Sequence, residues 1–168
     1  MGQGIFGPLR SAVSLFTGGG SPRAIAFGCA LGMMIGLLPK GNLTVAAISV
    51  VVLATHTNLA AAVLSGALFA WAAQWTDPLA HRIGSAILTQ PSWQKDFARL
   101  YDLPIVPWTA LNNTVVLGSL VLAIVLFYPV YHLTWQAFHR HQAKIARKLE
   151  DYHIDKVLAG TETVARHV

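Results

Sequence analysis

Lys40, Gly41 and Asn42 are the residues of this 168-residue chain whose types and setting point most directly to chemistry. They separate two apolar runs, 24–38 and 43–54. A lysine in that position is costly unless its ammonium reaches lipid headgroups or a cavity. The simple reading is a side chain snorkelling at a hairpin tip. The functional reading is an anion site: the ammonium and the amides around Gly41 face a lipid phosphate, and the amino end of the following helix adds positive potential. A second set, His56, Asn58, Asn112, Asn113 and Thr114, places polar groups within or at the mouths of apolar runs. Buried amides must find hydrogen-bond partners. These residues are therefore expected either to tie helices together or to line a path for a lipid headgroup or solute.

A third feature is spacing. Ala24, Gly28, Gly32 and Gly36 recur every four residues and form a small-residue stripe on one helix face. Such a stripe lets a second helix approach backbone to backbone. Packing within the chain, with helix 43–54 as the first candidate partner, is one expectation; self-association or a partner's helix is the other.

No nucleotide-binding loop, nucleophile–base pair or pair of carboxylates lies in the apolar segments, so no catalytic constellation and no cofactor are expected. The lack of Asp or Glu there also argues against a proton-coupled pump. His139 and His141 have no neighbouring Cys or carboxylate to complete a metal site. The single cysteine, Cys29, excludes an internal disulfide and reads as a small packing residue.

The elements that would position these residues follow from composition. The chain is 54% hydrophobic and only 11% charged, against about 25% charged in ordinary soluble domains. Residues 41–76 and 103–139 contain no Asp, Glu, Lys or Arg. Such stretches are what a bilayer demands. The expected fold is all-α: a polytopic helical membrane protein with a short broken or re-entrant hairpin, two fuller spans and flanking amphipathic helices. Residues 1–20 read as an interfacial amphipathic helix over 3–17 followed by a glycine linker. Residues 21–132 form the membrane domain, with apolar segments 24–38, 43–54, 59–75 and 109–131. Asp77-Pro78 is expected to close the third segment, and Pro129 to kink the fourth. Residues 77–107 balance three acidic against three basic residues and read as a periplasmic layer. Residues 133–168 read as a basic cytoplasmic helical tail. No signal-peptide cleavage pattern follows the first apolar run.

The net charge of +5 comes largely from residues flanking the apolar runs and from the tail. That distribution fits a positive-inside topology better than nucleic-acid binding. Both termini are expected in the cytoplasm, which requires an even number of crossings. A re-entrant hairpin with two spans satisfies this, and so do four thin spans.

The run Leu31-Gly32-Met33-Met34-Ile35-Gly36-Leu37-Leu38-Pro39-Lys40-Gly41-Asn42, with Asn58, Asp77-Pro78, Gly84, Trp108-Thr109 and Asn112-Asn113-Thr114-Val115-Val116 further on, resembles a family of small bacterial membrane proteins named as a domain of unknown function. The resemblance covers about residues 20–132. It implies a bacterium with an outer membrane, and a gene often placed beside one for a large periplasmic AsmA-like protein that bridges the membranes. The function expected on that basis is an inner-membrane subunit of a phospholipid-transport assembly, with phospholipid and an AsmA-like protein as partners. A purely structural anchor, and an oligomeric channel for small solutes, are the alternatives.

Overall fold

The computed structural model describes residues 21–165, with side chains as far as Arg140. The predicted amphipathic helix over 3–17, its glycine linker and the side chains of the basic tail lie outside the described residues. Among the described residues there are five α-helices and one 3₁₀ turn, and no strand. We label the helices α1 (Pro22–Leu37), α2 (Leu43–Ala54), α3 (Leu59–Leu88), α4 (Pro91–Tyr101) and α5 (Thr114–Ala165); the 3₁₀ turn is Val106–Thr109.

Local chemistry accounts for most of the helix ends. The Ser21 hydroxyl accepts from the Ala24 amide at 3.2 Å, and Pro22 needs no amide partner at the first helical position. Leu38 stands before Pro39, which disfavours a helical backbone there, and it is extended at φ −77°, ψ 140°. Gly41 at φ +86° completes the turn in a conformation that glycine accepts readily. Three asparagines then start three helices. The side-chain oxygen of Asn42 accepts from Val45 at 2.9 Å, that of Asn58 from Ala61 at 2.9 Å, and that of Asn113 from Val115 at 2.9 Å.

Two expected boundaries move. Asp77-Pro78 does not close the third segment, because α3 runs through Pro78 to Leu88. A proline inside a helix forfeits one backbone bond, and here tertiary packing outweighs that loss. Ala80 is fully buried, and Gly84 lies directly on the backbone of Thr114. The fourth segment begins at Thr114 rather than at 109, since Asn113 is the capping residue and Ala110 turns the chain with φ +56°. Helix α5 carries Pro129 in its interior and continues to Ala165.

The core is a three-helix arrangement of α1, α3 and α5. Gly28 sits against Asn58 and Ala61, Gly32 against Ala62, and Gly36 against Gly66 and Ala70, so α1 and α3 run parallel. Gly84 meets Thr114 and Gly118 meets Ala80, so α5 runs antiparallel to α3. Further along α5, Ala123 joins Met33 and Leu37, the Phe127 ring lies edge-on to Phe27 at 5.8 Å, and Phe138 packs on Ile25 and Cys29. The partner of the glycine stripe is therefore α3, not helix 43–54. The reason is steric: a Cβ on Gly32 would overlap the Ala62 carbonyl, a separation only two closely apposed backbones reach.

Helix α2 packs far less. It is apolar all round, yet Val52 is its one buried residue, while Val50 is 62% and Leu53 72% exposed. Two helices, Leu59–Leu88 and Thr114–Arg140, are long and apolar enough to cross a membrane. Only 17% and 28% of their most apolar windows are buried inside the molecule. The core helix of a soluble protein would be covered on most sides; these are not.

Candidate functional site

The hairpin tip is built from Lys40, Gly41 and Asn42. Asn42 closes it twice, capping α2 with its oxygen and donating from Nδ2 to the Pro39 carbonyl at 2.7 Å. Lys40 folds back over the end of α1. Its ammonium donates to the carbonyls of Gly36 at 3.0 Å and Leu38 at 2.8 Å, and also to that of Ile35. These belong to the last turn of α1, where carbonyls lack helical partners and the helix dipole is negative. All three ammonium donors are engaged. Lys40 is thus a cation cap as well as an exposed charge, a role that its position between two apolar runs did not reveal. The tip is tied to the loop before α5 by the Thr44 hydroxyl, which donates to the Thr109 carbonyl at 2.9 Å.

Beside the tip, α2 and α3 diverge over α1 and leave a groove of about 400 Å³. Lys40 stands among its lining. Val52 and Leu53 form one wall; Ala62, Gly66 and Ala67 line the other side. The groove exists because of residue size: small side chains on α3 leave the space that leucines would fill. Its volume lies within the roughly 300–1,000 Å³ usual for small-molecule sites. Its lining is almost wholly aliphatic, so it suits a hydrocarbon chain and offers no set of groups for chemistry.

The second predicted set is not gathered in one place. His56 and Asn58 lie where α3 begins, and the Asn58 amide donates to the Ala24 carbonyl at 3.1 Å. Thr114 lies against Gly84, near the far end of α3. The 26 residues between Asn58 and Gly84 correspond to about 39 Å of helix, so the set does not form one lining. At the far end Thr114 Oγ1 is 2.7 Å from His81 Nδ1, and the Tyr101 hydroxyl donates to Asn112 Oδ1 at 3.3 Å. Among the described residues, no buried side-chain nitrogen or oxygen lacks a partner, and no three His, Cys, Asp or Glu residues are grouped to hold a metal.

Sequence reasoning missed two features. One is the second glycine crossing, Gly84 and Gly118, where an added Cβ would overlap the carbonyls of Thr114 and Ala80. These glycines lie 34 residues apart on different helices, so no local spacing marks them. The other is the small-residue floor of the groove, since alanines on an apolar helix look the same whether they face a core or a cleft.

Comparison with known proteins gives a family. The model of the DUF2062 family, described as an uncharacterized protein conserved in bacteria, matches residues 11–147. A protein of Treponema pallidum (strain Nichols), described only as an uncharacterized protein, is 28% identical over 112 residues, covering 67% of this chain and 69% of its own length. No solved structure matches.

Proposed function

The chain belongs to the bacterial DUF2062 family, and from that premise we propose that it is an inner-membrane subunit of a phospholipid-transport assembly. It holds one phospholipid at the α2–α3 groove and presents it to a large periplasmic partner of the AsmA-like kind. The observation that carries this reading is the groove itself: aliphatic, of a volume suited to an acyl chain, and with an exposed cation at the tip beside it. A lipid chain would lie along Val52, Leu53 and Ala67 while its phosphate met Lys40, whose carbonyl partners can yield donors to a stronger acceptor.

The proposed topology follows from length and charge. Helices α3 and α5 cross the bilayer, with Arg23 and Arg140 on the cytoplasmic side together with Lys144, Arg147 and Lys148 of the tail. At 1.5 Å per residue α1 reaches about 24 Å and α2 about 18 Å, short of the roughly 30 Å hydrocarbon core. The hairpin therefore thins the bilayer locally or re-enters it. Helix α4 and the loop to Thr109 occupy the periplasmic interface, with Trp93 and Trp108 exposed. No catalytic role is proposed.

The test is gentle purification from native membranes with mass spectrometry of co-purified proteins and lipids. A large periplasmic protein and at least one tightly held phospholipid per chain are expected. Ala67→Trp fills the groove from its exposed side and should remove about one held lipid per chain, while Lys40→Glu should lower the amount held without unfolding the protein. Unchanged lipid in both variants overturns the reading. A purely structural anchor is the second reading, favoured by the capping role of Lys40. It predicts that the partner co-purifies with no enriched lipid and that Ala67→Trp is silent.

A further inference from the structure

At the opposite end of the hairpin from its tip lies a second cavity, of about 550 Å³, between the start of α1, the turn before α3 and residues 127–131 of α5. Its lining includes Arg23, His56, Phe27, Phe127, Tyr128 and Tyr131. Neither Arg23 nor His56 makes a side-chain hydrogen bond or ion pair among the described residues. The described acidic side chains, Asp77, Asp96 and Asp102, all lie far along α3 or beyond it. Asp77 is 19 residues past Asn58, about 28 Å along the helix. Helices α1 and α3 both begin at this end and α2 ends there at Thr55, so two positive helix ends face one negative end. The rings supply an apolar, edge-rich wall beside Arg23 and His56: Phe27 lies edge-on to Phe127 at 5.8 Å and to Tyr131 at 6.5 Å.

We propose that this cavity binds the headgroup of an anionic phospholipid, with the Arg23 guanidinium and the His56 imidazole on the phosphate and the first carbons of the acyl chains against Phe27, Phe127 and Tyr131. The guanidinium fork matches phosphate oxygens. The aromatic wall and the continuity of the cavity with the exposed apolar surface of α5, where Val125 is 64% and Tyr128 70% exposed, select a lipid over a free anion. The site is independent of the α2–α3 groove: it needs the chain in a bilayer but no lipid at Lys40.

The experiment places the full chain in nanodiscs of phosphatidylcholine containing phosphatidylglycerol and counts the lipids that remain bound on release into a native mass spectrometer. Phosphatidylglycerol should be retained in preference to phosphatidylcholine. Arg23→Gln should weaken that retention about tenfold, the scale of a charge-assisted hydrogen bond, and His56→Ala should weaken it in the same direction. Both residues are exposed, so neither substitution disturbs the core. Excess glycerol phosphate should not displace the lipid. Unchanged phosphatidylglycerol retention in both Arg23→Gln and His56→Ala overturns the proposal. Displacement by glycerol phosphate overturns it in favour of a small-anion site. If Ala67→Trp and Lys40→Glu both prove silent while Arg23→Gln loses phosphatidylglycerol, the groove reading fails and this site stands.

Discussion

The two arms of the hairpin, α1 and α2, are both short and both apolar, yet ten of the sixteen residues of α1 are buried against one of the twelve in α2. Hydrophobicity does not explain the difference, because the more thoroughly apolar arm is the exposed one. Shape explains it. Helix α1 carries Gly28, Gly32 and Gly36, which let α3 come to backbone contact, and its other face is filled by Met33 and Leu37 against α5. Helix α2 offers β-branched and leucine side chains in every direction and so keeps its neighbours at arm's length. In lipid, where apolar surface costs nothing to expose, close packing rather than burial holds helices together. The loose arm is what leaves the groove open.

This contrast can be broken most severely at Gly32. Gly32→Leu should separate α1 from α3 and cost at least about 3 kcal/mol, the upper range for overpacking, because the obstacle is the Ala62 backbone and not a movable side chain. Thermal unfolding in detergent, followed by circular dichroism, would register the loss; an unshifted midpoint would mean the crossing is not what holds the bundle. An intermediate effect is expected at the helix starts. Asn58→Ala removes the cap of α3 and should cost about 1 kcal/mol, read in the same assay. The smallest effect is expected on α2. Val50→Ala, on a side chain 62% exposed, should stay within about 0.5 kcal/mol, as for substitutions that touch no packed neighbour. A loss approaching that of Gly32→Leu would mean that a second chain covers α2.

Much of this was legible in the residues themselves. Ser21-Pro22 starts a helix and Leu38-Pro39 ends one by rules that operate within a few positions. The stripe from Ala24 to Gly36 announced a close crossing. What it could not announce was the partner, because α2 and α3 are both uncharged over the relevant stretch and the stripe accepts either. Asn42, Asn58 and Asn113 looked like members of polar sets that bind or line; their capping bonds to Val45, Ala61 and Val115 are short-range and follow an ordinary preference of asparagine. Pro78 misled for the opposite reason. Its local preference ends a helix, and long-range packing at Ala80 and Gly84 overrode it.

The sequence by itself determined the class of structure: charge-free stretches 41–76 and 103–139, together with helix-starting and helix-ending residues, specify short and long apolar helices and little else. These are properties of neighbours along the chain. The tertiary structure decided which helices touch, and that Arg23 and His56 share a cavity with rings from α5. Those facts depend on residues between about 30 and 110 positions apart. They are set by which backbones fit together at van der Waals distance, a property of three packed helices at once and of no single segment.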